Sequence, residues 1–396
     1  MPTTPPLVAE ASPFSRAALV AYLFLIMYAS WYPFSGWQTD NLVAILDVAR
    51  QWPRYWTAFD ASINVVGYLP LGVLLVFALY PLCSRPVSVL LATIAGTLLS
   101  VTMEGVQYFL PSRVTSILDV ITNSSGTLLG ALLGALLIPS VLEKGRLRLL
   151  RRQWLHHEAS REMLILGLWP LAQIYPQAYL FGLGQILPLI SFWLDEYFAI
   201  DIDLSAVLLQ GLELDAAEYL LSETIITACG ATGAVLICLF ILNRHAPKFW
   251  LSSLLLVAAV CTKALASALL FKPEYAFGWL TPGARGGLLI SAIMLYGFSF
   301  APSRAQRRLA ILMLLISLIL INLVPSNPYF LLSMQNLTHG KFLNFYGAAQ
   351  FLSICWPLLA LWYLFDRPIP ASPLVEPQAG DLYNDTVTAP HQTKQQ

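Results

Sequence analysis

Charge is what this sequence has least of. Asp, Glu, Lys and Arg make up 11% of its 396 residues, where soluble domains carry about 25%. A soluble chain of this size could not cover its surface with so few. Neither sign is in excess: 22 basic and 22 acidic residues cancel, which removes the electrostatic footprint that nucleic-acid binding requires. Cysteine is sparse too. The five (Cys83, Cys229, Cys238, Cys261, Cys355) stand far apart inside apolar runs with no CxxC pairing, so neither a disulfide framework nor a zinc site is expected. The five histidines (156, 157, 245, 339, 391) form no catalytic or metal-binding set. A Walker loop, a GxSxG elbow, an HExxH pair and a dinucleotide fingerprint are all missing, and with them the enzyme classes they define. No cofactor or metal is expected. No repeat of 20–50 residues is visible.

What the sequence has is apolar length: 57% of its residues are hydrophobic. A bilayer-crossing helix takes about 20 mostly apolar residues. Stretches meeting or approaching this lie at 17–35, 62–80, 87–110, 117–139, 163–183, 221–243, 249–271, 286–301, 309–324 and 344–365. The fold class expected is therefore an all-α, polytopic transmembrane bundle of about ten spans. The first stretch is followed by Trp31-Tyr32-Pro33-Phe34 and not by small residues, so it reads as a span and not as a cleaved signal. Lys and Arg give the orientation. With the N-terminus inside, fifteen of them fall on the cytoplasmic side and six outside, with Lys263 within a span. Cytoplasmic loops accumulate basic residues, so both termini are expected in the cytoplasm.

The basic run Lys144–Arg152 marks the main boundary. Residues 1–16 and 367–396, Pro-rich or polar, are expected to be disordered. Between them the sequence divides into a four-span unit (17–140), a basic cytoplasmic linker (141–162) and a membrane region of about six spans (163–366). The linker reads as a topology determinant that could also attract anionic lipid. Asp195, Glu196, Asp201, Asp203, Glu213, Asp215, Glu218 and Glu223 crowd residues 195–223 with no Lys or Arg. Interleaved apolar residues suggest short helices lying on the outer interface; a funnel for cations is the alternative.

Polar residues converge in the first unit. Asp60 and Asn64 are spaced i,i+4 at the start of the second span, Glu104 and Gln107 i,i+3 near the end of the third, and Asp119 and Asn123 i,i+4 at the start of the fourth. Each pair shares a helix face. Arg113 lies in the short turn between spans three and four. The alternation of spans puts all seven at the outer leaflet, and ionisable groups at such depth usually face the bundle interior or water. One outward-facing pocket is expected, with Arg113 neutralising one or two carboxylates; N-capping is the alternative for Asp60 and Asp119. Gly126, Gly130 and Gly134 form a stripe on which another helix backbone can pack, and Pro70 interrupts the second span. In the second unit the signals are Lys263, alone deep in a span, and Arg285 in the turn Thr281–Gly287, where a helix N-terminus could hold an anion. Trp169-Pro170 and Pro176-Gln177 break the fifth span.

The ordered set Asp60, Asn64, Pro70-Leu71-Gly72, Glu104, Gln107, Arg113, Asp119, Asn123, Gly126 and Gly130, with Tyr32-Pro33-Phe34 before it, resembles the VanZ-like family. The resemblance covers residues 17–140. It implies a protein of the bacterial inner membrane. The family's name-giving member confers low-level resistance to the glycopeptide teicoplanin without altering the peptidoglycan terminus. What this implies here is an envelope protein that binds or shields a lipid or lipid-linked cell-wall precursor at the outer leaflet, its partner being that lipid. Two alternatives stay open: a membrane enzyme using carboxylates as acid and base on a lipid-linked substrate, and a proton-coupled transporter. The remaining two-thirds of the chain has no counterpart in that pattern.

Overall fold

The computed structural model describes residues 13–38, 52–53, 56–113, 115–142, 153–155, 160–210, 214–243, 245–326, 330 and 343–366. The chain is an all-α membrane bundle. Its helices are α1 (Pro13–Trp31), α2 (Ala58–Leu79), α3 (Arg85–Gln107), α4 (Ile117–Val141), α5 (Ser160–Ala172), α6 (Leu187–Phe198), α7 (Leu204–Leu208), α8 (Ala216–Ile241), α9 (Lys248–Leu270), α10 (Pro282–Phe298), α11 (Ser303–Leu323) and α12 (Leu343–Asp366). Eight of these are long and apolar enough to cross a bilayer: α1–α4, α8, α9, α11 and α12. At 17 residues α10 is shorter. Helix α1 starts at Pro13, so the last four residues of the segment expected to be disordered are helical. The rest of that segment, most of the basic linker and the C-terminal tail lie outside the described residues.

The four-helix unit is organised by glycine. A Cβ added at Gly126 would overlap the carbonyl of Val65, one at Gly130 that of Leu69, and one at Gly134 would crowd Val73. The numbers rise together, so α2 and α4 run parallel in register. Gly72 answers from α2, pressed on the backbone of Thr127 and Ala131. Without side chains between them, the two backbones approach as glycine-lined membrane helices do. Helix α3 returns the chain between these two parallel helices. Helix α1 packs across the unit through Ile26, Tyr68, Leu71 and Met103.

The second region is built on α8, buried on all sides over its C-terminal half. Glycines again allow the approach: Gly287 of α10 sits on Thr227, and Gly233 of α8 on Leu314 of α11. The fifth apolar stretch departs from a simple span. Helix α5 stops at Ala172, after Pro170, and the chain then runs without regular structure through Tyr179, Leu180 and Phe181, all buried. Irregular backbone at membrane depth survives only inside protein, and here Asn322 of α11 satisfies it. Its Oδ1 accepts from the N–H of Ile186 at 2.9 Å, and its Nδ2 donates to the carbonyl of Gly184 at 2.8 Å.

The acidic 195–223 segment forms α6, α7 and the start of α8. Asp203 accepts from Ser205 and Ala206 at the head of α7, and Asp215 with Glu218 makes a capping box on α8. Three of its carboxylates are therefore occupied with helix ends.

The two regions meet through α1 and α12. Phe351 packs with tilted rings against Tyr28 (centroids 4.8 Å apart), and Tyr32 donates its hydroxyl to Gln350 at 3.2 Å. Trp356 of α12 donates to Ile165 of α5 at 2.8 Å.

Candidate functional site

Ser116 caps α4 by accepting from Leu118, which fixes the helix start and points Asp119 inward from its first turn. Asn64, on the parallel α2, donates to Asp119 Oδ1 at 2.8 Å. One turn deeper on α4, Asn123 donates to Ser100 of α3 at 3.0 Å. Ser100 and Glu104 are i,i+4 on α3, so this side of the helix carries both. Glu104 accepts the backbone N–H of Ser116 at 3.1 Å, and Gln107 donates to the carbonyl of Ser30 at 2.9 Å. Tyr22 of α1 closes the far side by donating to the carbonyl of Gly67 at 2.7 Å.

These contacts surround a cavity of about 160 Å³. Asn64, Glu104, Gln107, Asp119 and Asn123 all line it. The three amides each donate a hydrogen to the protein, so what remains for a ligand is weighted toward acceptors. Asn123 Oδ1 is the clearest: it is buried with no hydrogen-bond partner, on a side chain only 5% exposed. An unpaired buried polar atom costs about 1–3 kcal/mol, a cost that a hydrogen-bond donor entering the cavity would relieve. Apolar residues complete the lining: Leu25 and Ile26 of α1, Leu171 and Ile174 beyond Pro170, and Ala349 and Leu352 of α12.

Two of the seven expected residues are placed elsewhere. Asp60 is exposed and accepts the hydroxyl of Thr57 at 2.6 Å, while its own N–H donates back to Thr57. It belongs to the start of α2 and not to the cavity lining. Arg113 also lies off the lining. It donates from Nε to the carbonyl of Tyr32 at 3.0 Å and from Nη2 to that of Ala29 at 3.0 Å, tying the end of α1 to the turn before α4. Cations suit the carbonyl end of a helix. Burial lowers the Arg113 pKa, while Tyr32 and Glu104 push it back up, so it acts as a nearby positive charge for Glu104.

In the second region, Lys263 is 2% exposed and Glu223 4% exposed. Both line a smaller cavity of about 30 Å³, with Gln177 and Thr281. Lys263 donates to the carbonyl of Tyr175 at 3.3 Å. Arg285 does not share that cavity. It is exposed and donates to Leu280 at 3.2 Å, which leaves Lys263 and Arg285 as two separate features.

Sequence reading missed the wall supplied by α1, the segment after α5 and α12. Nothing separates Leu171, Ala349 or Leu352 from lipid-facing residues by type. Ser100 did carry a signal, since it continues the Glu104 and Gln107 face by one turn.

Residues 19–138 match the VanZ/LLP1 family model. A VanZ-family domain thus occupies the N-terminal third, and the remaining chain is additional to it. No curated protein and no solved structure matches the chain.

Proposed function

We propose that the VanZ-family domain holds the polar head of a lipid, or of a lipid-linked cell-wall precursor, at the outer leaflet of the bacterial inner membrane. The observation that carries this reading is a single cavity lined both by acceptor groups from α2, α3 and α4 and by apolar residues from α1, α5 and α12. Such a lining suits an amphiphile whose head donates hydrogen bonds through an ammonium or sugar hydroxyls. Two carboxylates, Glu104 and Asp119, favour that head over a phosphate, which would add like charge. The outer leaflet follows from the basic-residue asymmetry, which puts the start of α2 outside. Sequestering a precursor there would shield it from a glycopeptide such as teicoplanin.

The test is native mass spectrometry of the full chain purified in mild detergent. Wild type should retain an amine- or hydroxyl-headed lipid. Glu104→Gln, nearly isosteric, should keep normal membrane levels and retain at least tenfold less, a difference of about 1.4 kcal/mol. Equal retention by the variant would sink the reading.

The same carboxylate pair favours a second reading, in which one carboxylate acts as base and the other as acid on the bound head. A chemically altered lipid accumulating in a deletion strain would favour this enzyme. An unaltered lipid accumulating in one leaflet would favour transport.

A further inference from the structure

A second, larger cavity adjoins the polar one. It has a volume of about 410 Å³ and an almost wholly apolar lining. It lies between α2 and α9, with Val66 on one side and Leu265 on the other, and both are largely exposed, at 66% and 63%. The cleft therefore opens sideways, toward hydrocarbon in a membrane-embedded bundle. Val66 is two residues from Asn64 on the same helix, so the cleft and the polar cavity lie at one depth. They also share a wall: Leu171, Ile174 and Ala349 line both.

We infer that this cleft takes the hydrocarbon chain of the lipid whose head occupies the polar cavity. Its volume exceeds ten waters' share of about 30 Å³ each. An apolar cavity of this kind does not hold water; it stays dry or takes an apolar ligand. Hydrocarbon is what borders its mouth, so an acyl chain can pass from bilayer to cleft without exposing apolar surface to water, held there by van der Waals packing. The shared wall joins chain and head sites, so a single molecule can fill both. Selection then works in two parts: the head by its donors, the chain by the gap between the VanZ-family domain and the region that follows it. The inference rests on the head-binding reading above, and the experiment separates the two.

The full chain is reconstituted in vesicles of phosphatidylethanolamine and phosphatidylglycerol. These carry a trace of lipid with a diazirine midway along one acyl chain, in one arm on an ethanolamine head and in the other on a glucosyl diacylglycerol. After photolysis, peptides spanning Ile63–Val66 and Thr262–Leu269 should be labelled several-fold more than the lipid-facing Leu90–Leu98 side of α3, in at least one arm. The arm that labels identifies ammonium or sugar hydroxyl as the head chemistry. Ala266→Phe, which fills the cleft, should remove the excess, and Val66→Trp at the mouth is the second variant should the first fail to fold. No excess over α3 in either arm overturns the chain site, even where native mass spectrometry still finds head-dependent retention. An excess that Ala266→Phe removes but Glu104→Gln leaves at the wild-type level supports the chain site and shows that the head reading is what failed.

Discussion

Asn322 shows how much one side chain can hold. It lies near the end of α11, yet it contacts the backbone of a segment more than a hundred residues earlier, accepting from Ile186 and donating to Gly184. Leucine has the same branching and number of side-chain heavy atoms and none of the polar ones. Asn322→Leu would strand at least two backbone groups away from water, at about 1–3 kcal/mol each. We expect a lowered melting temperature in detergent and early loss of hydrogen-exchange protection at residues 184–187, with α1–α4 unaffected; a stability equal to wild type would contradict this role. Lys263 is buried, donates to the carbonyl of Tyr175 at 3.3 Å, and among the described residues no ion pair joins it to Glu223.

At the scale of elements, α2 and α4 begin alike. Thr57, Asp60 and Asn64 have the same spacing as Ser116, Asp119 and Asn123, and Thr57 and Ser116 both cap. The i,i+4 spacings made the inward faces legible in the sequence, and the glycine stripe made the close approach legible. The register was not. Val65 packs at Gly126, and that choice sets Asn64 beside Asp119 and leaves Asp60 one turn above the cavity, though nothing in the local sequence distinguishes the two aspartates. The helix pair also gives a sharp test. Gly130→Leu drives a side chain into the backbone at Leu69, and overpacking of this kind costs about 1–3 kcal/mol or more. It should lower both thermal stability and lipid retention. Gly105→Ala on α3 meets nothing within 4 Å and should be neutral or stabilising by roughly 0.5–1 kcal/mol. Equal behaviour of the two variants would show that the glycine contact is not what joins α2 to α4.

Across the whole molecule, the alternation of helices fixes which helix ends share a face, and the basic asymmetry is the argument for which face is outside. Parallel packing of α2 on α4, and of α10 on α8 where Gly283 meets Glu223 and Gly287 meets Thr227, requires one antiparallel helix between each pair, as α3 and α9 supply. A reporter fused at residue 153 should therefore read cytoplasmic and one at 205 external; the reverse would invert the leaflet assigned to the cavity. The count of spans was legible only approximately, because composition cannot tell a full crossing from α5 followed by a buried irregular segment. Nor could it show that the second region supplies part of the site's wall, since helix-to-helix docking far along the chain leaves no spacing signature.

That wall has a consequence in time. The polar groups of the cavity lie between residues 64 and 123, while Ala349 and Leu352 come from α12, more than two hundred residues later in the chain. Units at the front of a chain fold while the rest is still being made. The carboxylates are thus in the membrane, and their cavity unwalled on one side, through the synthesis of some two hundred further residues, roughly 10–40 seconds at 5–20 residues per second. Whatever the finished pocket admits, the nascent one is open to any lipid that drifts past until α12 docks on α1.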